Sequence, residues 1–570
     1  VDHAPRTLAE VAAQLDHPSL SGSAVANRLI RGVTLSSRTV RPGDLYAALP
    51  GLRSHGARFA TEAIAAGAVA ILTDPAGAEA LTGASGDVPV LVVPQPRAVL
   101  GGLAAWLYGE PGRRLATFGV TGTNGKTTTT FLLDSALRGL GRATGLIGTI
   151  EIRVGEERVA STRTTPEAPD LHALLAVMLE HGARACSMEI SSHALAQRRV
   201  DGLVVDVAGF TNLSQDHLDY HHTLEEYFLA KAQLFTPERA VRGVVCVDDG
   251  WGARLAGLAT IPVTTIRTRP RGVGEPPAGW QVVGTRPQDG GQIAVDLEIS
   301  PEVHRQRSGG VVPLTLTCPL PGGFNVANSV LAAAMLTAAG VDATEAAEAL
   351  ATAGAVPGRM ERVSGPGEPG EPLAVVDYAH TPDAVAAALR ALTDQGRPLV
   401  VVLGAGGDRD HDKRPRMGAA AARAADVVIV TDDNPRSEDP AEIRSAVAAG
   451  ARAEAEDSGA TVVEVAGRRA AIAAGVARAW GGGVLVVAGK GHEQGQEVAG
   501  VVHPFDDRAV VAEALRSAAP SSCPPSTPGM TSTPSTPSTP STPSTPGTVP
   551  EGPVAARSGH QQVQQKENLS

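Results

Sequence analysis

A chain of 570 residues exceeds the roughly 100–200 usual for one domain and predicts about three globular units. With 43 % hydrophobic, 19 % charged and only 3 % aromatic residues, the composition is that of a soluble globular protein whose cores rely on Ala and Val. The formal charge of −11 and a pI near 5.8 argue against nucleic acid as a partner, although a local basic site can still hold phosphates.

The opening VDHAPRTLAEVAAQL carries acidic residues and no long apolar core, and no later stretch is apolar for about 20 residues. Neither secretion nor membrane insertion is expected. Cys186, Cys246, Cys318 and Cys523 are too scattered for a disulfide framework or a CxxC metal knuckle, which fits a reducing cytoplasm.

Residues 1–112 alternate short apolar runs with Ala-rich segments, among them 44–49, 60–68, 68–73 and 88–93, and read as a small α/β domain. Pro111 to Arg114 punctuate the chain before LATFGV and mark the first boundary. Residues 113–357 carry strand candidates at 115–120, 185–189, 204–210 and 244–247 separated by helical stretches, the rhythm of a parallel sheet covered on both faces. The Gly- and Pro-rich stretch 267–311 reads as loops or an irregular hairpin. Residues 358–519 repeat the pattern, with strands at 374–377, 399–403, 427–431, 461–465 and 484–488, and predict a doubly wound α/β domain. From 520 to 570 the Pro/Ser/Thr repetition of PSTPSTPSTPSTPGT cannot bury much apolar area and predicts a disordered tail, whether a functional one or an altered terminus.

The sharpest local feature is ATFGVTGTNGKTTTTFLLDSAL: an apolar strand, a Gly-rich turn and an amphipathic helix. Backbone N–H groups in such a turn face phosphate oxygens, Lys126 reaches the β/γ oxygens, and a threonine hydroxyl can ligate magnesium. Gly119 stands one residue too far from Gly125 for the GxxxxGK[ST] spacing, and Gly122 too close, so this is a variant phosphate loop.

TGTNGKTTT at 121–129, followed in order by MEISSHAL, NLSQDHLDYH, GRME, DYAHTPD and DNPR, resembles the Mur ligase family over about residues 20–515. Within that family the resemblance is to the ligases that add diaminopimelate. It implies a three-domain α/β architecture: a uridine-nucleotide domain at 1–112, a central P-loop ATPase domain at 113–357 and a Rossmann-like amino-acid domain at 358–519. The implied activity is ATP-dependent ligation of diaminopimelate to UDP-N-acetylmuramoyl-L-alanyl-D-glutamate through an acyl-phosphate, with Mg²⁺, by a cytoplasmic monomer. An L-lysine-adding muropeptide ligase, a folylpolyglutamate synthase and a non-catalytic nucleotide-binding module are the alternatives.

Carried over residue by residue, the resemblance implies that Thr123, Asn124, Gly125, Lys126, Thr127, Thr128, Asn325, Arg359, Asp377 and His380 bind ATP. Asn328 lies near the same site. Thr127, Glu189, His217 and Lys231 as a carbamate would hold Mg²⁺, with Lys126, His217 and Lys231 catalytic. Ser37, Thr164, Thr165, Ser191, Gln197 and Arg199 would contact the UDP-muropeptide, with Ser192 and Arg198 as neighbours. The SSR at 36–38 departs from the family's DSR at Ser36, while Ser37 and Arg38 match. Arg409, Asp433, Asn434, Pro435, Arg436, Gly489 and Glu493 would form the diaminopimelate pocket, because an arginine fork can grip the second carboxylate that lysine lacks.

Overall fold

The computed structural model describes residues 4–16, 23–51, 54–83, 85–161, 163–288, 292–302, 310–363, 365, 367–393, 397–408 and 410–518. The tail expected at 520–570 lies outside them, as does Arg409.

In the first part of the chain the parallel strands Gly32–Thr34, Asp44–Ala48, Ala70–Thr73 and Val90–Val92 lie side by side in that order. Asp44–Ala48 is buried at every position because its side chains alternate between two cores. Leu45 and Ala47 enter one, Tyr46 and Ala48 the other, which is why the strand reads as a continuous apolar run.

The central sheet has 11 strands among the described residues. Ala116–Thr121 lies near its middle, parallel to Ala185–Glu189 on one side and Val205–Phe210 on the other. Phe118 and Val120 pack with Leu132, Leu133 and Leu137 of the helix Lys126–Gly139 and with Val330 and Met335 of the helix Gly323–Ala338. The opposite face is covered by Leu171, Leu175 and Met178 of the helix Ala168–Glu180. The sheet is mixed, not wholly parallel. The antiparallel hairpin Glu151–Val154 with Glu157–Ala160 forms one edge. Part of the 267–311 stretch, read as loops or an irregular hairpin, belongs to an antiparallel meander, Trp280–Pro287, Ile293–Ile299 and Val312–Cys318, whose first pairing shifts register between Val282 and Gly284. Its period-two residues Trp280, Val282, Val295, Leu297 and Leu316 reach the same core as the P-loop helix, so packing at long range overrides the local Gly/Pro signal.

The last sheet runs Glu361–Val363, Leu373–Asp377, Val484–Ala488, Leu399–Leu403, Val427–Val430, Thr461–Glu464, parallel except for its first strand. The late strand Val484–Ala488 is inserted between two early ones, which creates a switch point. Open α/β sheets bind ligands at the carboxyl ends of strands at such a point. Asp377, Asp433 and Gly489 sit at or just beyond those ends.

Cys186, Cys246 and Cys318 are buried free thiols, and Cys523 lies outside the described residues. Among the described residues no helix is long and apolar enough to cross a membrane.

Candidate active site

Three neighbouring strands end at Thr121, Glu189 and Phe210, and the P-loop leaves the middle one. Gly122 adopts φ 145° and Gly125 φ 87°. A Cβ on Gly122 would lie 1.8 Å from Thr211 Oγ1 and one on Gly125 2.3 Å from Asn328 Oδ1, so the loop passes only as glycine at both points. Asn212 and Ser214, which the sequence reading did not single out, clamp the loop. The Asn124 amide donates to Asn212 Oδ1 at 3.1 Å and the Ser214 amide to Thr123 Oγ1 at 3.0 Å. Both lie in the NLSQDHLDYH motif, immediately after an apolar strand.

Lys126 lies over its own loop, donating to the carbonyls of Gly122 at 3.0 Å and Thr123 at 2.8 Å. Burial lowers its pKa, opposed by Glu189 and Asp216. Thr127 and Thr128 are buried in the first turn of the following helix. Thr127 Oγ1 donates to Glu189 Oε2 at 3.0 Å, and Thr149 donates from its amide to Glu189 Oε1 at 2.7 Å and from its hydroxyl to Oε2 at 3.1 Å. Thr149 is a third residue that sequence reasoning missed.

Lys231 is 1 % exposed. Its Nζ donates to the Gly122 carbonyl at 2.8 Å and lies 4.2 Å from the centroid of the Tyr227 ring. Burial first, then Lys126, pushes its pKa far down. Among the described residues no carboxylate lies within ion-pair distance of it. His217 has φ 54°, and its ring lies 4.9 Å from His193 and 6.1 Å from Tyr227. Burial holds it neutral, with a pKa of about 4.

These donors fit Mg²⁺. The ion prefers hard oxygens and takes few protein ligands, completing its shell with substrate phosphates and water. The Thr127 hydroxyl and the buried Glu189 carboxylate at the P-loop match that preference, and the His217 imidazole, held neutral by burial, adds no charge that opposes a cation. Among the described residues no three His, Cys, Asp or Glu side chains converge as a metal-holding cluster.

A cleft of about 430 Å³ opens beside the loop, lined by Asn124, Gly125 and Thr128, by Phe324, Asn328 and Leu331, and by Arg359, Asp377 and His380. Arg359 crosses from the C-terminal sheet, donating from Nη2 to Thr127 Oγ1 at 3.0 Å, with its guanidinium 4.5 Å from the Tyr378 ring centroid. Asp377 Oδ2 accepts from the Met360 amide at 2.7 Å, fixing the turn that carries Arg359, and Oδ1 accepts from the Ala379 amide at 2.8 Å, fixing the chain just after the strand. Burial raises its pKa. His380 Nδ1 donates to the Tyr378 carbonyl at 2.8 Å, and burial lowers its pKa. Asn325 does not line this cleft. Its Nδ2 donates to the Pro321 carbonyl at 2.7 Å and its Oδ1 accepts from Asn328 Nδ2 at 3.1 Å, leaving Asn328 as the amide facing inward.

Thr164, Thr165, Ser191, Gln197 and Arg199 are brought together on the other side of Glu189. Thr164 and Thr149 hydroxyls are 3.0 Å apart, Thr165 donates to the Glu189 carbonyl at 2.8 Å, and the Ser191 amide donates to Thr165 Oγ1 at 3.1 Å. Arg199 pairs with Glu167 at 3.0 Å and donates to Gln197 Oε1 at 2.6 Å. Arg97, from the helix Pro96–Leu107, reaches the same Glu167 at 3.1 Å and the Gln197 carbonyl at 3.1 Å, tying the first unit to the second. Ser192 contacts His221 Nε2 at 2.9 Å, while Arg198 turns to Asp201 at 3.4 Å. Ser37 lies in the first unit, buried and donating to Glu62 at 2.9 Å, with Ser36 and Arg38 exposed beside it. None of its hydrogen bonds reaches the Thr165 group.

At the carboxyl ends of the last sheet, Asn434 Nδ2 donates to Glu493 Oε2 at 2.9 Å. Arg436 has φ 52°, donates to the Gly407 carbonyl and lies 3.3 Å from Glu497 Oε2. Gly489 has φ 117°, and a Cβ there would lie 2.4 Å from Asp433 Oδ2. The Pro435 carbonyl accepts from the Glu438 amide at 3.1 Å, closing the turn. Lys490, fully buried between these residues, was not singled out from the sequence.

A P-loop bonded to a buried carboxylate, bridged by an arginine to a second α/β sheet, defines an ATP-dependent ligase that forms amide bonds. Residues 29–108 match the Mur ligase family catalytic domain, 120–336 the Mur ligase middle domain and 358–491 the Mur ligase glutamate ligase domain. The chain belongs to the Mur ligase family. UDP-N-acetylmuramoyl-L-alanyl-D-glutamate–2,6-diaminopimelate ligase of Streptomyces avermitilis is 51 % identical over 516 residues, 89 % of this chain and 96 % of that protein. The protein of the same description from Streptomyces coelicolor is 51 % identical over 514 residues, with the same coverage of 89 % and 96 %. A solved structure of a ligase of that description is 30 % identical and superposes with a TM-score of 0.61, covering 90 % of this chain and 99 % of its own. Use of ATP with Mg²⁺ is typical of the family.

Proposed function

We propose that the protein joins 2,6-diaminopimelate to the γ-carboxylate of UDP-N-acetylmuramoyl-L-alanyl-D-glutamate, a step of peptidoglycan precursor synthesis, releasing ADP and phosphate. Residues 1–112 hold the uridine nucleotide, 113–357 the ATP and 358–519 the amino acid. The protein acts as a cytoplasmic monomer. The observation that carries this reading is the Arg359–Thr127 hydrogen bond of 3.0 Å, which sets the amino-acid sheet against the phosphate loop.

The γ-carboxylate oxygen attacks the γ-phosphorus of ATP, ADP leaves, and an acyl-phosphate forms. The amine then attacks the acyl carbon, phosphate leaves and a proton is released, giving the amide. Lys126 and Arg359 offset negative charge as it is transferred, and Thr165, Ser191 and Arg199 orient the muropeptide. Thr127, Glu189, His217 and a carbamate on Lys231 would hold Mg²⁺, which would neutralise charge on the phosphate oxygens. The lowered pKa of Lys231 favours its neutral amine, whose Nζ can bond the carbon of CO₂ and lose a proton to become a carbamate. Asn434, Arg436 and Glu493, with Asp433, Pro435, Gly489 and Arg409, form the amino-acid pocket.

Ligation assays with the muramoyl dipeptide nucleotide and meso-diaminopimelate, LL-diaminopimelate or L-lysine test the reading. Catalytic efficiency with a diaminopimelate isomer should exceed that with L-lysine by orders of magnitude. Equal or better use of L-lysine overturns it.

A further inference from the structure

Lys490 follows the strand Val484–Ala488 and is fully buried. The glycines on either side let the chain deliver it there. Gly489 threads past Asp433, and Gly491, at φ 53°, packs so closely that a Cβ would lie 2.7 Å from the Gly358 carbonyl oxygen. The Lys490 ammonium donates to Asn434 Oδ1 at 2.8 Å and Glu493 Oε2 at 3.1 Å, and lies 3.9 Å from Asp433 Oδ1. Asn434 Oδ1 also accepts from the Glu497 amide at 3.0 Å, which fixes the amide so that Nδ2 faces Glu493 Oε2 at 2.9 Å. Glu493 Oε2 therefore takes two donors, and among the described residues Oε1 takes none.

A buried ammonium is unfavourable unless paired and hydrogen-bonded. Another buried cation also joins these strand ends. Arg468 pairs with Asp507 at 2.6 Å and donates to the carbonyls of Ala488 at 2.9 Å and Asp432 at 3.3 Å. We propose that Lys490 is a positioning residue of the ligation, holding Asn434 and Glu493 in one arrangement in which Glu493 Oε1 is presented to the ammonium of the incoming amino acid. This rests on the amino-acid pocket proposed above.

The test is steady-state kinetics on the full chain carrying Lys490→Met, which keeps side-chain length and removes the charge. The KM for diaminopimelate should rise about 10- to 100-fold, the scale of a lost hydrogen bond to a charged group. The KM values for ATP and the muropeptide should stay within about twofold, since distant sites respond independently. Lys490→Gln retains a donor and should show a smaller rise. In a cycle with Glu493→Gln the two losses should be strongly non-additive. An unchanged diaminopimelate KM in Lys490→Met, or additive losses, overturns the proposal. Should the Met variant not accumulate, a rise of all three KM values together in Lys490→Gln overturns it as well. If the wild type instead prefers L-lysine, the diaminopimelate reading fails, while a selective rise in the KM for lysine sustains the role of Lys490.

Discussion

Lys126 and Lys231 donate to one acceptor, the Gly122 carbonyl, at 3.0 Å and 2.8 Å. Two ammonium groups on one carbonyl repel each other, and Lys231 is the more deeply buried of the two. The repulsion acts with burial to lower the Lys231 pKa, which favours the neutral amine that reacts with CO₂. Lys231→Ala should nearly abolish ligation without loss of the fold, and short carboxylates added to the assay should restore part of the activity. Intact mass measured in bicarbonate should show the CO₂ adduct on the wild type and not on the variant. An unmodified wild-type chain under those conditions contradicts the carbamate.

Lys126→Ala should lower ATP consumption and ligation together, by about 100- to 1,000-fold, the usual loss when one donor to a developing anion is removed. Its ammonium sits where the loop carbonyls and the helix start converge, not beside the amino-acid pocket. ATP turnover at the wild-type rate in the complete substrate mixture would remove Lys126 from phosphoryl transfer.

The phosphate loop was legible because its strand, turn and helix are contiguous, and each residue's task follows from local geometry. Strand ends such as Glu189 and Asp377 could be placed for the same reason. Asn325 could not, because whether an amide of a buried helix faces a cleft or the Pro321 carbonyl depends on rotation of the whole helix. The meander Trp280–Cys318 was hidden by Gly and Pro in its connections, and only packing against the P-loop helix shows its alternation. Lys490 was missed because a lysine between glycines reads as an exposed turn until Asn434, Glu493 and Asp433, distant in sequence or turned inward, close around it.

Acid should destabilise the protein before its carboxylates titrate. Burial lowers the pKa values of His217 and His221 to about 4 and of His492 to about 3, from an ordinary 6.5. Between those values the unfolded chain binds more protons than the native one, so stability falls as pH drops from about 6.5 toward 4. Asp44, Asp170 and Asp377, raised by burial, act in the opposite sense just above their ordinary 3.8. Urea midpoints in magnesium-free buffer should therefore fall between about pH 6.5 and pH 5, and His492→Asn should lose less over that range. A flat profile contradicts the assignment.

Arg436 should decide which amine is used. Its left-handed backbone turns the guanidinium back over the Gly407 carbonyl, and Glu497 Oε2, 3.3 Å from Nε, holds one edge of the planar fork. A side-chain carboxylate of an incoming amino acid could then be gripped through two parallel charge-assisted bonds, a geometry that lysine's lone ammonium cannot reproduce. Diaminopimelate supplies that second carboxylate and L-lysine does not, so binding L-lysine leaves the fork unpaired. Arg436→Ala should reduce kcat/KM for diaminopimelate by about 100-fold or more while leaving the KM for ATP within about twofold, because Arg436 takes no part in lining the nucleotide cleft. Arg436→Lys should recover only part of the loss, keeping charge but not the fork. The decisive readout is the ratio of kcat/KM for diaminopimelate to that for L-lysine, which should collapse in Arg436→Ala. A ratio unchanged from wild type would mean that the guanidinium serves the turn alone and that selectivity lies elsewhere in the pocket.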